Sequence, residues 1–481
     1  MRVLDGYQPA TVFHFFEDIC NIPHISYHEQ QLSDYCVTFA KDRGLYYEQD
    51  KIGNVIIIGE ATPGYEEAEP VIIQGHLDMV GDKVPGCPID MKTEPIHVMV
   101  KGDYITADGT TLGGDNGIAV AYALALLDAK DIPHPRLEVV LTVSEEVGLE
   151  GATAIDLSGC KARRLINLDS EEEGVFIAGC AGGVRAECVF PMETALKNGK
   201  IYNIYTSDFL GGHSGVEIHK GRANGNVIIG RFLLFLEERL SYDLGNVSGG
   251  VKDNVIPKNA RATILLTEDK EQQLVKAVTE FNNLLKVEYG VADPEAKLIL
   301  EMGERREARV LTDASKEKAL ASLNAMPNGV QTMSQDLPGL VETSLNMGVV
   351  TMDENALSLC FSLRSSVQTA KEYLMAKLKC ITAAMQGVIS YHGEYPGWAY
   401  ARESALRDLC TKVYEEQTGS KPKIEVIHAG LECGILSSKI EGLDCISLGP
   451  NMADVHTPDE VISISSVERV WEFLKAVLAE K

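Results

Sequence analysis

The chain has 481 residues, 45% of them hydrophobic and 24% charged, the balance of a soluble globular protein of two or three domains at roughly 100–200 residues each. Forty-four basic residues against 70 acidic ones leave a net charge of −26, which repels phosphate backbones and anionic lipid and argues against nucleic-acid and membrane partners. No stretch approaches the roughly 18 apolar residues that a bilayer span requires.

In chain order, the first twenty residues lack a basic segment followed by an apolar run, so they do not read as a secretory signal. Asn54–Gly59, Val71–Gly75, Leu137–Val143 and Arg164–Leu168 are short apolar runs that read as strands, and Gly117–Ala129 reads as a buried Ala/Leu-rich helix. Strands alternating with helices predict an α/β sheet with parallel character. The texture changes after Gly182-Gly183. Segments such as Ile201–Thr206, Ala260–Leu266 and Ala356–Leu363 alternate with amphipathic helices at Asn226–Ser241 and Lys270–Lys286, which suggests an antiparallel α+β domain with one covered sheet face. Tyr395–Trp398 reads as a return linker. The α/β pattern then resumes with a helix at Glu403–Thr418, strands at Lys423–Ile427 and Cys445–Leu448, and a closing helix at Ser466–Ala479. The expectation is one α/β domain (1–184 and 397–481) split by an insertion (185–396). Eleven scattered cysteines with no CxxC pair fit free thiols in a reducing cytoplasm.

Five strand ends of the α/β part offer a histidine or a carboxylate: His76 and Asp78, Asp115, Glu145 and Glu146, Asp169, and His456 with Asp454. Open α/β sheets collect function at the carboxyl ends of their strands, and these residue types suit borderline divalent metals. Two Zn²⁺ ions would balance Asp115, Glu146, Asp169 and one hydroxide, with His76 and His456 neutral, so a pair of ions closes near zero net charge. Asp115 is the candidate bridge, because flanking glycines permit close approach. Asp78, two residues beyond His76, is placed to accept a hydrogen bond from the distal ring nitrogen. Glu145 is the candidate general base, taking a proton from water and passing it to a leaving nitrogen. Taken alone, Gly113–Gly117 is also compatible with a plain tight turn. It lacks GxGxxG and GKS/T, and an aspartate would repel phosphate.

These residues sit in motifs that resemble the M20 co-catalytic zinc peptidases, and within them the aminoacyl-histidine (Xaa-His) dipeptidase branch. The motifs are QGHLDMV at 74–80, LGGDNG at 112–117, TVSEEVGLEG at 142–151, NLDS at 167–170, DNVIP at 253–257, HAGLECG at 428–434 and HTPDE at 456–460. The resemblance covers essentially the whole chain. It implies a zinc-peptidase-like catalytic domain with a central mostly parallel sheet, interrupted by an inserted α+β lid domain. It assigns His76 and Asp169 to one zinc, Glu146 and His456 to the other, and Asp115 to both, with Mn²⁺ or Co²⁺ as substitutes. Asp78 and Glu145 become the catalytic pair. In the lid, His213 of GGHSG resembles an oxyanion-stabilising histidine, and Asn254 and Arg364 resemble substrate-holding residues, the guanidinium suiting a C-terminal carboxylate. The implied activity is hydrolysis of unblocked dipeptides, including Xaa-His and β-Ala-His, by a cytoplasmic enzyme whose partner is a small peptide. The alternative is a deacylase or carboxypeptidase on N-acyl amino acids. A homodimer through the lid is an association the resemblance allows.

Overall fold

The computed structural model describes residues 2–481, the Glu268 side chain excepted. Packing divides the chain into two units. The first comprises the chain up to Cys180 with Tyr400–Val426 and Leu431–Lys481, and the second comprises Ala181–Ala399 with Ile427–Gly430. Residues 427–430, assigned from the sequence to the closing catalytic segment, pack instead with the insertion. Ala181 N–H lies 3.1 Å from the Ile427 carbonyl and 3.0 Å from that of Ala429.

The first unit is built on an eight-stranded sheet. Its order is Tyr46–Gln49, Val55–Gly59, Leu137–Thr142, Val71–His76, Arg164–Asn167, Asp444–Ser447, Val175–Cys180 and Lys423–Ile427. The four strands from Leu137–Thr142 to Asp444–Ser447 run parallel, with antiparallel pairing on both flanks. Every residue of Val71–His76 and Leu137–Thr142 is buried. Parallel strands are covered on both faces, which is why these runs are continuously apolar and do not alternate.

The helix Gly114–Asp128 has no polar face and is buried throughout Gly117–Leu127. Its alanines and glycines let neighbours come close: a Cβ on Gly117 would touch Ile19 and Phe16 of the helix Ala10–Cys20. The helices Ala405–Thr418 and Ile464–Ala479 are N-capped by Ser404 and Ser463, whose hydroxyls accept from Arg407 N–H and Ser466 N–H. A small antiparallel sheet of Met452–Ala453, Val461–Ser463, Tyr104–Ala107 and Val98–Lys101 completes this unit.

The inserted unit has its own antiparallel sheet, which includes Gly182–Pro191, Thr194–Ser207, Lys297–Leu311, Val341–Met352 and Ala356–Ser365. One core joins Phe190, Leu357, Leu359, Phe361 and Leu363 of the strands to Phe232, Phe281, Leu323 and Leu378 of four helices. Each such side chain contributes about 1.5–3 kcal/mol on burial. All eleven cysteines are free thiols. Among the described residues, no helix is long and apolar enough to cross a membrane.

Candidate metal centre

The register of the parallel strands assembles the site. His76 pairs with Thr142, and Gln74 with both Val140 and Asn167, so three strands end at one edge. The turns that follow them carry Asp78, Glu145 with Glu146, and Asp169. Asp115 enters at the start of the helix Gly114–Asp128. His456 comes from the far end of the chain, in the turn that links Met452–Ala453 to Val461–Ser463.

Asp115 stands between the two histidines. His76 Nε2 lies 3.2 Å from its Oδ1, and His456 Nε2 lies 3.2 Å from its Oδ2. On the His76 side, Asp169 Oδ1 is 3.4 Å from the same Nε2. On the other side, Glu146 Oε1 is 2.8 Å from His456 Nε2. Donor atoms of His76, Asp115 and Glu146 all fall within 4.8 Å of one another. The carboxylate side chains are shielded from water, at 12% (Asp115), 8% (Glu146) and 7% (Asp169) exposure. Their only ion-pair partners among the described residues are the two histidines.

Such crowding reshapes protonation. Burial pushes Asp169 up to about 6, with Asp115 and Glu146 adding repulsion against the hydrogen bond from His76. Burial raises Glu145 well above the carboxylate range, and the negative charges of Asp169, Glu432 and Glu146 push the same way. Asp115 goes the other way: hydrogen bonds from His456 and His76 overcome its burial and hold it below the usual range. Hydrogen bonds to Asp115 and Glu146 push His456 up to about 10. The protein groups by themselves would therefore balance their negative charge with protons on two imidazoles. Divalent cations do the same work when they displace those protons, and a set of two imidazoles and three buried carboxylates is a donor set that fits them.

Residues 72–480 match peptidase family M20/M25/M40. The chain belongs to this peptidase family. It is 37% identical over 482 aligned positions to the cytosol non-specific dipeptidase of Escherichia coli (strain K12), covering 100% of this chain and 99% of that protein. The crystal structure of aminoacylhistidine dipeptidase from Vibrio alginolyticus superposes with a TM-score of 0.93 at 37% identity, over 99% of this chain and 97% of that one. Aminopeptidase PepT from Bacillus cereus ATCC 10987, at 16% identity and a TM-score of 0.58 over 98% of both chains, shares the fold.

In this M20 peptidase the contact expected between Asp78 and His76 takes a different form. His76 Nδ1 bonds at 3.0 Å to the main-chain carbonyl of Asp78, while the Asp78 carboxylate is 3.5 Å away. The strand stops at His76, so the alternation that would align residues 76 and 78 no longer applies. The carboxylate accepts instead from Glu145 N–H (2.8 Å), Glu146 N–H (3.2 Å) and the Ser26 hydroxyl (2.8 Å). It holds the turn that presents both glutamates. Glu29 supports the same turn, accepting from the backbone N–H and hydroxyl of Ser144, each at 3.0 Å.

Asn116 was passed over by sequence reasoning because an amide brings no charge to a metal. Its Oδ1 accepts from His76 N–H at 3.0 Å, and its Nδ2 donates to Leu168 O at 2.8 Å and Asp169 Oδ1 at 3.0 Å. It thereby ties together two candidate ligands. Glu432 was also missed. It is fully buried, accepts from Gln74 Nε2 and Thr142 Oγ1, and is pushed up to about 7 by burial, with Asp169 adding repulsion.

The inserted unit groups the other candidates. His213 pairs with Val255 across a two-stranded ladder, which sets Asn254 beside it. His213 Nδ1 accepts from Gly215 N–H and Val216 N–H, both at 3.3 Å, so the neutral ring carries its proton on Nε2. Burial lowers its pKa, and the positive charge of Arg364 adds to the effect. Arg364 donates to Tyr395 Oη at 3.3 Å, while its buried Nε has no hydrogen-bond partner. His428, which sequence reasoning noted only within a motif, bonds Ser344 Oγ at 2.7 Å through Nε2.

Proposed function

We propose that this chain is a metal-dependent dipeptidase that holds two zinc ions and hydrolyses unblocked dipeptides, Xaa-His and β-Ala-His among them. The observation that carries the proposal is Asp115, each of whose oxygens faces a different histidine, with one further carboxylate beside each ring. His76 and Asp169 would hold one ion, Glu146 and His456 the other, and Asp115 both. Full-length identity of 37% to proteins named dipeptidases supports the choice of substrate.

Bound divalent cations supply Lewis acidity and an acidified water. The remaining tasks fall to the chain's own groups. Glu145 accepts the proton of the attacking water and returns it to the departing amine nitrogen. Asp78 keeps Glu145 and Glu146 in place through their backbone N–H groups. His213 offers its Nε2–H to the oxyanion, and Arg364 pairs with the substrate's C-terminal carboxylate while Asn254 helps to hold the substrate.

The zinc-loaded protein should cleave β-Ala-His and other free dipeptides faster than their N-acetylated forms. Chelation should abolish the activity and zinc restore it. A preference for N-acyl substrates would favour the deacylase alternative, and activity indifferent to chelation would refute the metal mechanism. Glu145→Ala should still bind zinc but lose roughly 10²–10⁴-fold in kcat, the range ascribed to general-base catalysis. Ordinary turnover by that variant would remove Glu145 from the mechanism.

A further inference from the structure

We propose that Glu460 is a positioning residue of the metal centre: it sets the Leu112–Asp115 turn, and with it the approach of Asp115 to both histidines. The inference rests on the functional reading above, in which Asp115 is shared between two ions. Glu460 is 3% exposed, and among the described residues it has no cationic partner. Its carboxylate is occupied by main-chain donors. Oε2 accepts from Leu112 N–H at 2.7 Å and Gly113 N–H at 3.0 Å, and Oε1 accepts from Gly114 N–H at 2.8 Å and Asp115 N–H at 3.3 Å.

Gly113 sits at φ 71°, in the left-handed region, and a Cβ on Gly114 would come within 3.2 Å of Glu460 Oε1. The carboxylate stands where a side chain on Gly114 would otherwise stand. Glu460 is itself anchored. Its carbonyl accepts from Thr106 Oγ1 at 2.8 Å, its N–H donates to Thr457 O at 3.1 Å, and the strand that follows it, Val461–Ser463, pairs with Tyr104–Ala107. One short segment thus brings His456 to Asp115 and, four residues later, clamps the backbone that carries Asp115. The anion complements four N–H groups at the start of a helix, a strong form of hydrogen bond.

The test compares wild type with Glu460→Gln and Glu460→Asp. Zinc affinity is read by competition with a chromophoric chelator, backbone protection of residues 112–115 by hydrogen exchange, and coordination by the absorption spectrum of the Co²⁺-loaded protein. In Glu460→Gln the amide nitrogen faces two N–H groups it cannot accept from. That variant should show faster exchange at 112–115, an altered cobalt spectrum and zinc binding weakened about 10–100-fold, as losses beside a ligand shell typically are. The activity loss should fall in kcat, with KM little changed. Glu460→Asp keeps the charge but withdraws it by one methylene, and should fall between. Wild-type zinc affinity and exchange in Glu460→Gln would overturn the proposal. If that variant does not fold, wild-type zinc affinity in Glu460→Asp would overturn it. A wild-type protein that binds no zinc defeats the functional reading instead, and the exchange measurement then judges Glu460 alone.

Discussion

His428 shows how burial can dominate a residue's behaviour. Burial pushes its pKa down to about 3, and the nearby charges of Arg364, His213 and His219 push the same way. The folded value lies below the roughly 6.5 of an unfolded chain. The stability it contributes is therefore complete above about pH 6.5 and is lost as pH falls toward the folded value. Replacing the ring by His428→Gln should flatten that loss. Urea unfolding from about pH 6.5 down to about pH 4 should show wild type losing more stability than the variant, with a slope difference of up to about 1.4 kcal/mol per pH unit. Parallel curves would contradict the assignment. At this scale the candidate ligands were legible because metal chemistry admits few residue types. Asn116, Glu29 and Glu460 were not, because each is defined by the backbone group it meets and not by what it is.

At the scale of elements, the packing of the strand Val71–His76 against the helix Gly114–Asp128 governs the site. A Cβ on Gly75 would lie 2.6 Å from Ala119 Cβ and 2.6 Å from Asn116 Oδ1, the atom that receives His76 N–H. Gly75→Ala should therefore cost about 1–3 kcal/mol of stability by overpacking. It should also weaken zinc binding about 10–100-fold by disturbing the groups that orient two ligands. Chemical denaturation and zinc titration would check the two effects separately. The buried parallel strands were readable from their apolar runs. The strand Lys297–Leu311 was not, because it lies at a sheet edge and exposes Glu304, Arg305, Arg306 and Glu307. An edge strand that faces water carries charges and loses the hydrophobic period. The regular helix runs from Gly117, as its sequence predicts, and is preceded by a kinked start at Gly114 in which Asp115 and Asn116 have non-helical backbone angles. Local propensity favours no such start, and Glu460 holds it from a distance.

For the whole molecule, the division into two compact units implies that metal acts on one of them. Every candidate ligand belongs to the first unit, so zinc should stabilise that unit by about 2.7 kcal/mol at a free concentration of 100 times its Kd. Calorimetry of the zinc-loaded and chelated protein should show one unfolding transition displaced upward and another unmoved. Displacement of neither would count against metal binding by the first unit.

The amino-acid sequence by itself determined the α/β character of the first unit, the change of texture at the insertion and the residue types available for a metal pair. Each of these is encoded locally, as a period of side chains or as a choice of donor atom. Only the tertiary structure decided that Asp115 divides its oxygens between His76 and His456, 341 positions along the chain from Asp115, and that the Asp78 carboxylate supports the Glu145–Glu146 turn. It also decided that Glu460 caps the turn before Asp115. Those partners meet because sheets close in register and bring distant backbone together, and no local pattern records which N–H a buried carboxylate will find.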